Sequence, residues 1–332
     1  MCAMRKAAVL SILFVVVLLA VAVIAEAQQS TKIPRIGFLA AATPATAADL
    51  VEAFKQGLRE HGYVEGQNVV LELRFGEGKA EQFPVLAAEL VRLKVDVIVA
   101  LTNPVIEAVR QATQTIPIVM PAASDPVGAG FVASLARPGG NITGLSGYSP
   151  ELNGKRLELL KEAFSKLSRV ALLLSPNFPG SALDLKETES AARSLGLRIQ
   201  PLEVRDASDI DRAFKAMIKE RADALTMFPG HPALFVNRKK IVELAANHRL
   251  PAMYSLSEFV DAGGLMFYGP DLLVGYRRAA DYVDKILKGT KPADLPVEQM
   301  TKFEFAINLK TAKQLGLNIP QSVLFRADKV IK

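Results

Sequence analysis

Cysteine, tryptophan and histidine are scarce in this chain of 332 residues, which contains one cysteine, no tryptophan and three histidines. The cysteine, Cys2, precedes an apolar run at the N-terminus, so the rest of the chain can provide neither a disulfide nor a thiolate nucleophile. The histidines, His61, His231 and His248, are far apart and do not form an H-E-x-x-H motif. These absences argue against thiol chemistry and a histidine metal site, and we predict no metal and no other cofactor.

An excess of charge of one sign is also missing. Lysine and arginine number 40, aspartate and glutamate number 34, and the formal net charge is +6. The basic residues are spread along the chain among nearly as many acidic ones. This pattern predicts a solvated surface rather than a binding site for nucleic acid or for a membrane.

Familiar catalytic motifs are missing as well. There is no G-x-x-x-x-G-K-[ST] loop and no G-x-S-x-G elbow, because the nearest match, at residues 144–148, lacks the second glycine. Residues 128–133 fit a loose G-x-G-x-x-A pattern, but they follow the fourth predicted strand instead of the first. We interpret these glycines as easing the start of a helix rather than as binding a nucleotide. The sequence therefore predicts a binding protein and not an enzyme.

One long apolar run is present, at residues 7–25, after the basic pair Arg5 and Lys6. An A-x-A sequence at residues 25–27 follows it, which is typical of a secretory signal peptide cleaved after Ala27. The run is close to the shortest length that spans a membrane, so an uncleaved anchor is the alternative. Both interpretations place the remaining chain outside the cytoplasm, in the periplasm.

Beyond this segment, short apolar runs alternate with helical patterns, beginning with a strand at 36–40 and a helix at 46–61. Such alternation predicts an α/β fold with parallel sheets flanked by helices. The pattern restarts near residue 147 and gives a second series of similar length. We therefore predict two lobes with a cleft between them, and a ligand site beyond the carboxyl ends of the strands.

The loops that follow the predicted strands are rich in serine, threonine, asparagine and proline and contain little charge. Hydroxyls, amides and helix N-termini suit the polar end of a small ligand, because backbone N–H groups can hold a carboxylate without a buried cation. Asp125 or Glu258 would hold an ammonium group, and Phe228 or Tyr254 an apolar body. The predicted ligand-binding residues are Thr43, Thr102, Asn103, Ser124, Asp125, Asn177, Phe228, Tyr254 and Glu258.

Several longer motifs resemble one protein family. They include the sequences at residues 54–68, 124–128, 135–144 and 308–317, and the similarity extends over about residues 33–330. The chain resembles the substrate-binding proteins of ABC transporters that are often labelled tryptophan/tyrosine transport components. This resemblance implies a two-lobed periplasmic-binding-protein fold of a type I-like form, whose chain crosses between the lobes three times. It also implies a partner permease and ATPase.

The resemblance implies a first lobe of residues 33–147 plus 257–290 and a second lobe of 148–256 plus 297–332. The expected protein is a monomeric extracytoplasmic receptor that closes on a small polar, amino-acid-like metabolite and delivers it to the importer. Leu101 is expected to narrow the ligand pocket, as is Phe267, which stands where relatives commonly have a small residue. Two alternatives stay open, the ligand-binding subunit of a periplasmic sensor and a secreted hydrolase.

The A-x-A sequence makes a direct prediction about the mature protein. Cleavage after Ala27 gives a chain that begins at Gln28, and osmotic shock should release it. Intact-mass measurement on the periplasmic fraction checks this expectation. Recovery of the full-length chain from membranes would instead show that the N-terminal segment is retained as an anchor.

Overall fold

A computed structural model describes most of the chain after the N-terminal segment, and the signal peptide, its cleavage site and Asn177 lie outside the described residues. The described residues are 33–148, 151–176, 181–228 and 232–332. None of the helices in these ranges combines the length and the apolar character that crossing a bilayer requires.

Strands and helices alternate through the described chain, as the hydrophobic periodicity predicts. The strands are β1 (Arg35–Ala40), β2 (Val70–Phe75), β3 (Val97–Ala100), β4 (Ile118–Ser124), β5 (Ile142–Tyr148), β6 (Arg169–Leu174), β7 (Arg198–Glu203), β8 (Ala224–Met227), β9 (Ala252–Tyr254), β10 (Met266–Pro270), β11 (Glu298–Gln299), β12 (Phe303–Asn308) and β13 (Lys329–Ile331). The helices are α1 (Pro44–Glu60), α2 (Phe83–Arg92), α3 (Asn103–Ala112), α4 (Glu151–Ala163), α5 (Ser181–Ser194), α6 (Ala207–Lys219), α7 (Pro232–Val236), α8 (Arg238–Asn247), α9 (Ser257–Asp261), α10 (Leu272–Leu287), α11 (Leu309–Leu315) and α12 (Gln321–Leu324).

The first sheet has, within the described residues, the strand order β11-β5-β4-β3-β1-β2, and all neighbouring pairs are parallel. Helices cover both faces, so its inner strands are apolar along their whole length. Phe38 of β1 packs with Phe54 of α1 and Tyr276 of α10, and the next residue, Leu39, packs on the opposite face with Leu90 of α2. The sheet and its helices form the first lobe.

The second sheet has the order β13-β12-β10-β9-β8-β6-β7 among the described strands. Its strands pair in parallel, except that β10 and β12 are antiparallel. Leu160 of α4 and Leu315 of α11 belong to the core on one face, and Phe214 of α6 and Ile241 of α8 belong to the core on the other. These two layered sheets confirm the predicted α/β class and form the two predicted lobes.

The chain passes between the sheets after β5, after β10 and after β11. The predicted membership of two segments needs correction. Residues 257–270, expected in the first lobe, belong to the second sheet, because β10 pairs with β9 at Met266–Met253 and with β12 at Met266–Ile307. Only a short helical connection separates β9 from β10, and strands joined in this way commonly lie close together. Residues 298–299, expected in the second lobe, pair with β5 of the first sheet.

Helix α10 returns the chain from β10 to the first lobe, where it packs directly against α1. The two helices approach closely at Gly57, whose missing side chain leaves room for the backbone carbonyl of Arg277. A methyl group at Gly57 would lie 2.4 Å from that oxygen and 2.8 Å from the Cβ of Ala280. The glycine therefore sets the spacing of the helix pair.

Substitution of Gly57 by alanine should destabilise the protein by about 1–3 kcal/mol, since overpacking at a tight contact outweighs the better helix propensity of alanine. Thermal or urea unfolding measures this loss. Gly154→Ala in α4 is the matched control, because its added methyl group meets only the Cβ of Ala191 at 3.2 Å. Equal stability of the two variants would show that the packing of α1 on α10 does not require a glycine at residue 57.

Candidate functional site

A cavity lies between the lobes, where the carboxyl ends of β1 and β3 face the loops and helices of the second lobe. The space between the lobes measures about 610 Å³ when the mouth that opens to solvent is included. Its lining residues are Ala40, Ala41, Ala42, Leu50, Gly78, Leu101, Thr102, Phe235, Leu256, Glu258, Leu272 and Tyr276. Both lobes therefore contribute to one predominantly apolar pocket.

Two aromatic residues of the wall are held by neighbouring side chains. Tyr276 is 1% exposed, and its ring stacks on Phe38 with centroids 5.4 Å apart and an angle of 28°. In the second lobe, the guanidinium carbon of Arg238 lies 4.7 Å from the ring centroid of Phe235. A cation in this position is attracted to the ring face. The pocket thus presents fixed aromatic surfaces from both lobes.

Thr102 provides a hydroxyl group at the N-terminus of α3. Its φ and ψ angles are −67° and 147°, and its carbonyl accepts the Ile106 N–H bond at 2.9 Å, so it occupies the N-cap position. Its Oγ1 atom is buried and has no hydrogen-bond partner among the described residues. A buried hydroxyl without a partner costs free energy, and the first N–H groups of a helix also lack intrahelical acceptors. A ligand carboxylate would satisfy both kinds of group.

Glu258 of α9 contributes a carboxylate side chain to the cavity wall. Burial raises the pKa of the Glu258 side chain, and Asp261 acts in the same direction, whereas the charge of Arg238 lowers it in part. The hydroxyl of Ser257 lies 3.5 Å from Oε2. Because the pKa is raised overall, the surrounding protein stabilises the ionised carboxylate less well than water does. An ammonium group in the pocket would stabilise this ionised form.

The hydrogen bonds of Asn103, Ser124 and Asp125 are made within the first lobe. The Asn103 amide donates to the Ser124 carbonyl at 2.8 Å, and its oxygen accepts the Ser124 N–H at 3.1 Å. The Asp125 carboxylate accepts the Gly128 N–H at 2.9 Å. The two bonds of Asn103 join the start of α3 to the end of β4, whereas the Asp125 bond lies within the loop that follows β4. None of the three residues lines the cavity.

Three other predicted residues also lie away from the cavity. Thr43 is exposed and caps α1 through reciprocal contacts with Thr46, at 3.3 and 3.1 Å. Tyr254 is 1% exposed and stacks on Phe259 at 4.8 Å inside the second-lobe core, where burial raises its pKa. Phe228 packs with Leu172 and Leu174 of β6 and other apolar side chains. The expectation that Phe228 or Tyr254 holds the ligand is therefore corrected, because both pack inside the second lobe.

The structure thus brings Thr102 and Glu258 into one cavity, while the role of Asn177 stays a prediction. Sequence reasoning missed the apolar wall, above all Phe235, Leu256 and Tyr276. In the sequence these residues fit helical or core patterns, so hydrophobicity alone gives no signal that separates them from core residues. Within the described ranges, no group of histidine, cysteine, aspartate and glutamate side chains is arranged to hold a metal ion.

Comparison with known proteins adds independent information. The family model described as ABC transporter substrate binding protein matches residues 42–331. The tyrosine-binding protein of Clostridioides difficile is 28% identical over 268 residues, which cover 80% of this chain and 76% of that protein. The C. difficile protein is thus similar to this chain over most of both sequences.

Two solved structures are also similar in fold. A conserved domain protein from Vibrio cholerae has a TM-score of 0.83 and 27% identity, and the match covers 90% of this chain and 100% of that chain. An ABC domain from Streptococcus pneumoniae, solved in complex with L-Trp, has a TM-score of 0.82 and 28% identity, with 90% and 99% covered. These similarities confirm the two-lobed fold that the sequence motifs imply.

Replacement of Glu258 by glutamine should stabilise the unliganded protein at neutral pH. The raised pKa means that folding disfavours the ionised carboxyl, so the destabilisation is present above the folded-state pKa and disappears below the ordinary value of 4.5. The melting temperatures of both proteins, measured from neutral pH to below 4.5, test this expectation. The difference between the two melting temperatures should shrink as the pH falls. A glutamine variant that is less stable at neutral pH would show that the carboxylate has a structural partner.

Proposed function

We propose that this chain, which belongs to the ABC transporter substrate-binding protein family, binds a small amino-acid-like metabolite between its lobes and delivers it to the permease of an ABC importer. As a family member it is a solute-binding protein and not an enzyme. The permease and its ATPase are the proposed membrane partners, and the periplasm is the proposed location, in agreement with the N-terminal sequence.

The observation that carries this proposal is the division of polar groups between the lobes. Thr102 and the N-terminus of α3 come from the first lobe, and Glu258 comes from the second. A zwitterion has one charge for each of these sites, since a carboxylate suits a hydroxyl and helix N–H groups and an ammonium suits a carboxylate. A ligand that contacts both lobes favours the closed arrangement, because an open arrangement loses one set of contacts.

The remaining lining favours an apolar or aromatic ligand side chain. Leu101, Phe235, Leu256 and Tyr276 line the same cavity as the two polar groups. Phe267 does not narrow it, because this residue is 2% exposed and packs with other apolar residues of the second lobe. The relatives described as tyrosine-binding and as complexed with L-Trp support an aromatic amino acid as the first ligand to test.

The absence of tryptophan from the protein provides a clean assay. The chain contains six tyrosines, so L-tryptophan excited where tyrosine does not absorb is the fluorophore that dominates the signal. Its emission should change on binding, since burial beside Phe235 and Tyr276 removes the indole from water. Saturating ligand should also raise the melting temperature, because a ligand at 100 times its Kd adds about 2.7 kcal/mol of stability.

Thr102→Ala should weaken L-tryptophan binding by about 1.5–3 kcal/mol, the value of one hydrogen bond to a charged group. It should not destabilise the unliganded protein, because the Oγ1 atom that it removes is buried there without a hydrogen-bond partner among the described residues. Thr102→Ser keeps the hydroxyl and serves as the matched control. Titration calorimetry measures both affinities. Unchanged emission and melting temperature with L-tryptophan would eliminate the aromatic ligand. No response to a broad set of metabolites would contradict the receptor function itself.

A further inference from the structure

The two lobes touch at the rim of the cavity, between the turn after β2 and helix α7. The turn, residues 76–79, is held against the end of β1. The Gly78 N–H donates to the Ala41 carbonyl at 2.6 Å, and the Glu77 N–H donates to the Ala42 carbonyl at 3.3 Å. Glu77 and Gly78 both have positive φ angles, of 50° and 76°. Fixed in this way, the turn is a firm surface of the first lobe.

Helix α7 approaches this surface from the second lobe. Phe235 lines the cavity, and its carbonyl accepts a hydrogen bond from Nη1 of Arg238 at 3.0 Å, beneath the same guanidinium group that lies over its ring. The next residue, Val236, is 48% exposed and contacts Gly78. Consecutive residues of α7 therefore cover the ligand space and touch the opposite lobe.

The contact leaves no space for a side chain at residue 78. A methyl group there would lie 1.9 Å from Cγ2 and 3.3 Å from Cβ of Val236. Rotation of the valine offers little relief, because a β-branched residue in a helix has one strongly preferred rotamer and because its Cβ would not move. A side chain at residue 78 must therefore push α7 away from the turn.

We propose that Gly78 determines the ligand affinity, because α7 of the second lobe packs directly on the backbone of Gly78 when the cavity encloses its ligand. This inference deepens the proposed function and rests on it. Contacts across a closed cleft add to ligand affinity only if they form together with the ligand contacts. A side chain at residue 78 opposes closure and so weakens binding without touching the polar groups that hold the ligand.

The first test compares L-tryptophan affinity in matched variants. Gly78→Ala should bind about tenfold more weakly, as overpacking of a tight contact predicts. Gly66→Ala is the control, because Gly66 has a similar φ angle of 81° but nothing within 4 Å of an added methyl group. It carries the same backbone strain and should keep the affinity of the unsubstituted protein. Adding Val236→Ala to Gly78→Ala removes both valine methyl groups and should restore most of the loss.

The second test measures the separation of the lobes without depending on any ligand. The chain has no cysteine after Cys2, so the substitutions Glu81→Cys and Glu243→Cys place one spin label on an exposed position of each lobe of the mature protein. The unsubstituted protein should show a short-distance population that represents the closed form. Gly78→Ala should deplete this population, and the added Val236→Ala should restore it. Gly66→Ala should leave the distribution unchanged.

The outcomes separate the two proposals. If L-tryptophan fails to bind the unsubstituted protein, the aromatic ligand is wrong, and the label distances alone decide the role of Gly78. If Gly78→Ala behaves like Gly66→Ala in the distance measurement, or if Val236→Ala brings no recovery, the inference is overturned even where the ligand binds.

Discussion

The close packing of α10 on α1 determines much of the geometry of the cavity. Helix α10 follows directly from β10 of the second sheet, yet its apolar face belongs to the first-lobe core, and Gly57 allows the close approach. Polar contacts hold its later turns, since the His61 Nε2 atom lies 2.6 Å from Asp281 Oδ1. The same helix carries Tyr276 into the cavity wall. One helix thus connects the lobes and shapes the pocket, so its position matters to both.

Under the proposed function, the polar groups of the cavity favour the liganded state at the expense of the unliganded one. The Thr102 hydroxyl is buried without a partner among the described residues, and burial disfavours the ionised form of Glu258. Each group is poorly satisfied in the protein alone and well matched to one end of a zwitterion. Functional sites commonly depart in this way from the arrangement that would be most stable. The apolar walls strengthen the effect, because charges interact more strongly where water is excluded.

Sequence reasoning succeeded where one physical pattern dominates. Buried parallel strands such as β1 are continuous apolar runs, and amphipathic helices such as α1 show a period that packing requires. The cavity was harder to predict because polar loop residues have several possible partners. Asn103 and Asp125 satisfy nearby backbone groups, whereas the similar residue Thr102 does not. Whether Tyr254 faces core or cleft depends on the packing of β9 and α9, which no local pattern specifies.

A receptor that closes on its ligand needs lobes that attract each other only weakly. If the contact between them were extensive, the closed form would dominate without ligand and would hinder entry. If the lobes repelled each other, most of the binding free energy would be spent on closure, since the apparent affinity falls with the fraction of competent molecules. The contact of Val236 with the backbone of Gly78 lies between these limits, because it allows close approach and provides little attraction. In the proposed function the ligand, through Thr102 in one lobe and Glu258 in the other, therefore supplies most of the free energy that closes the protein.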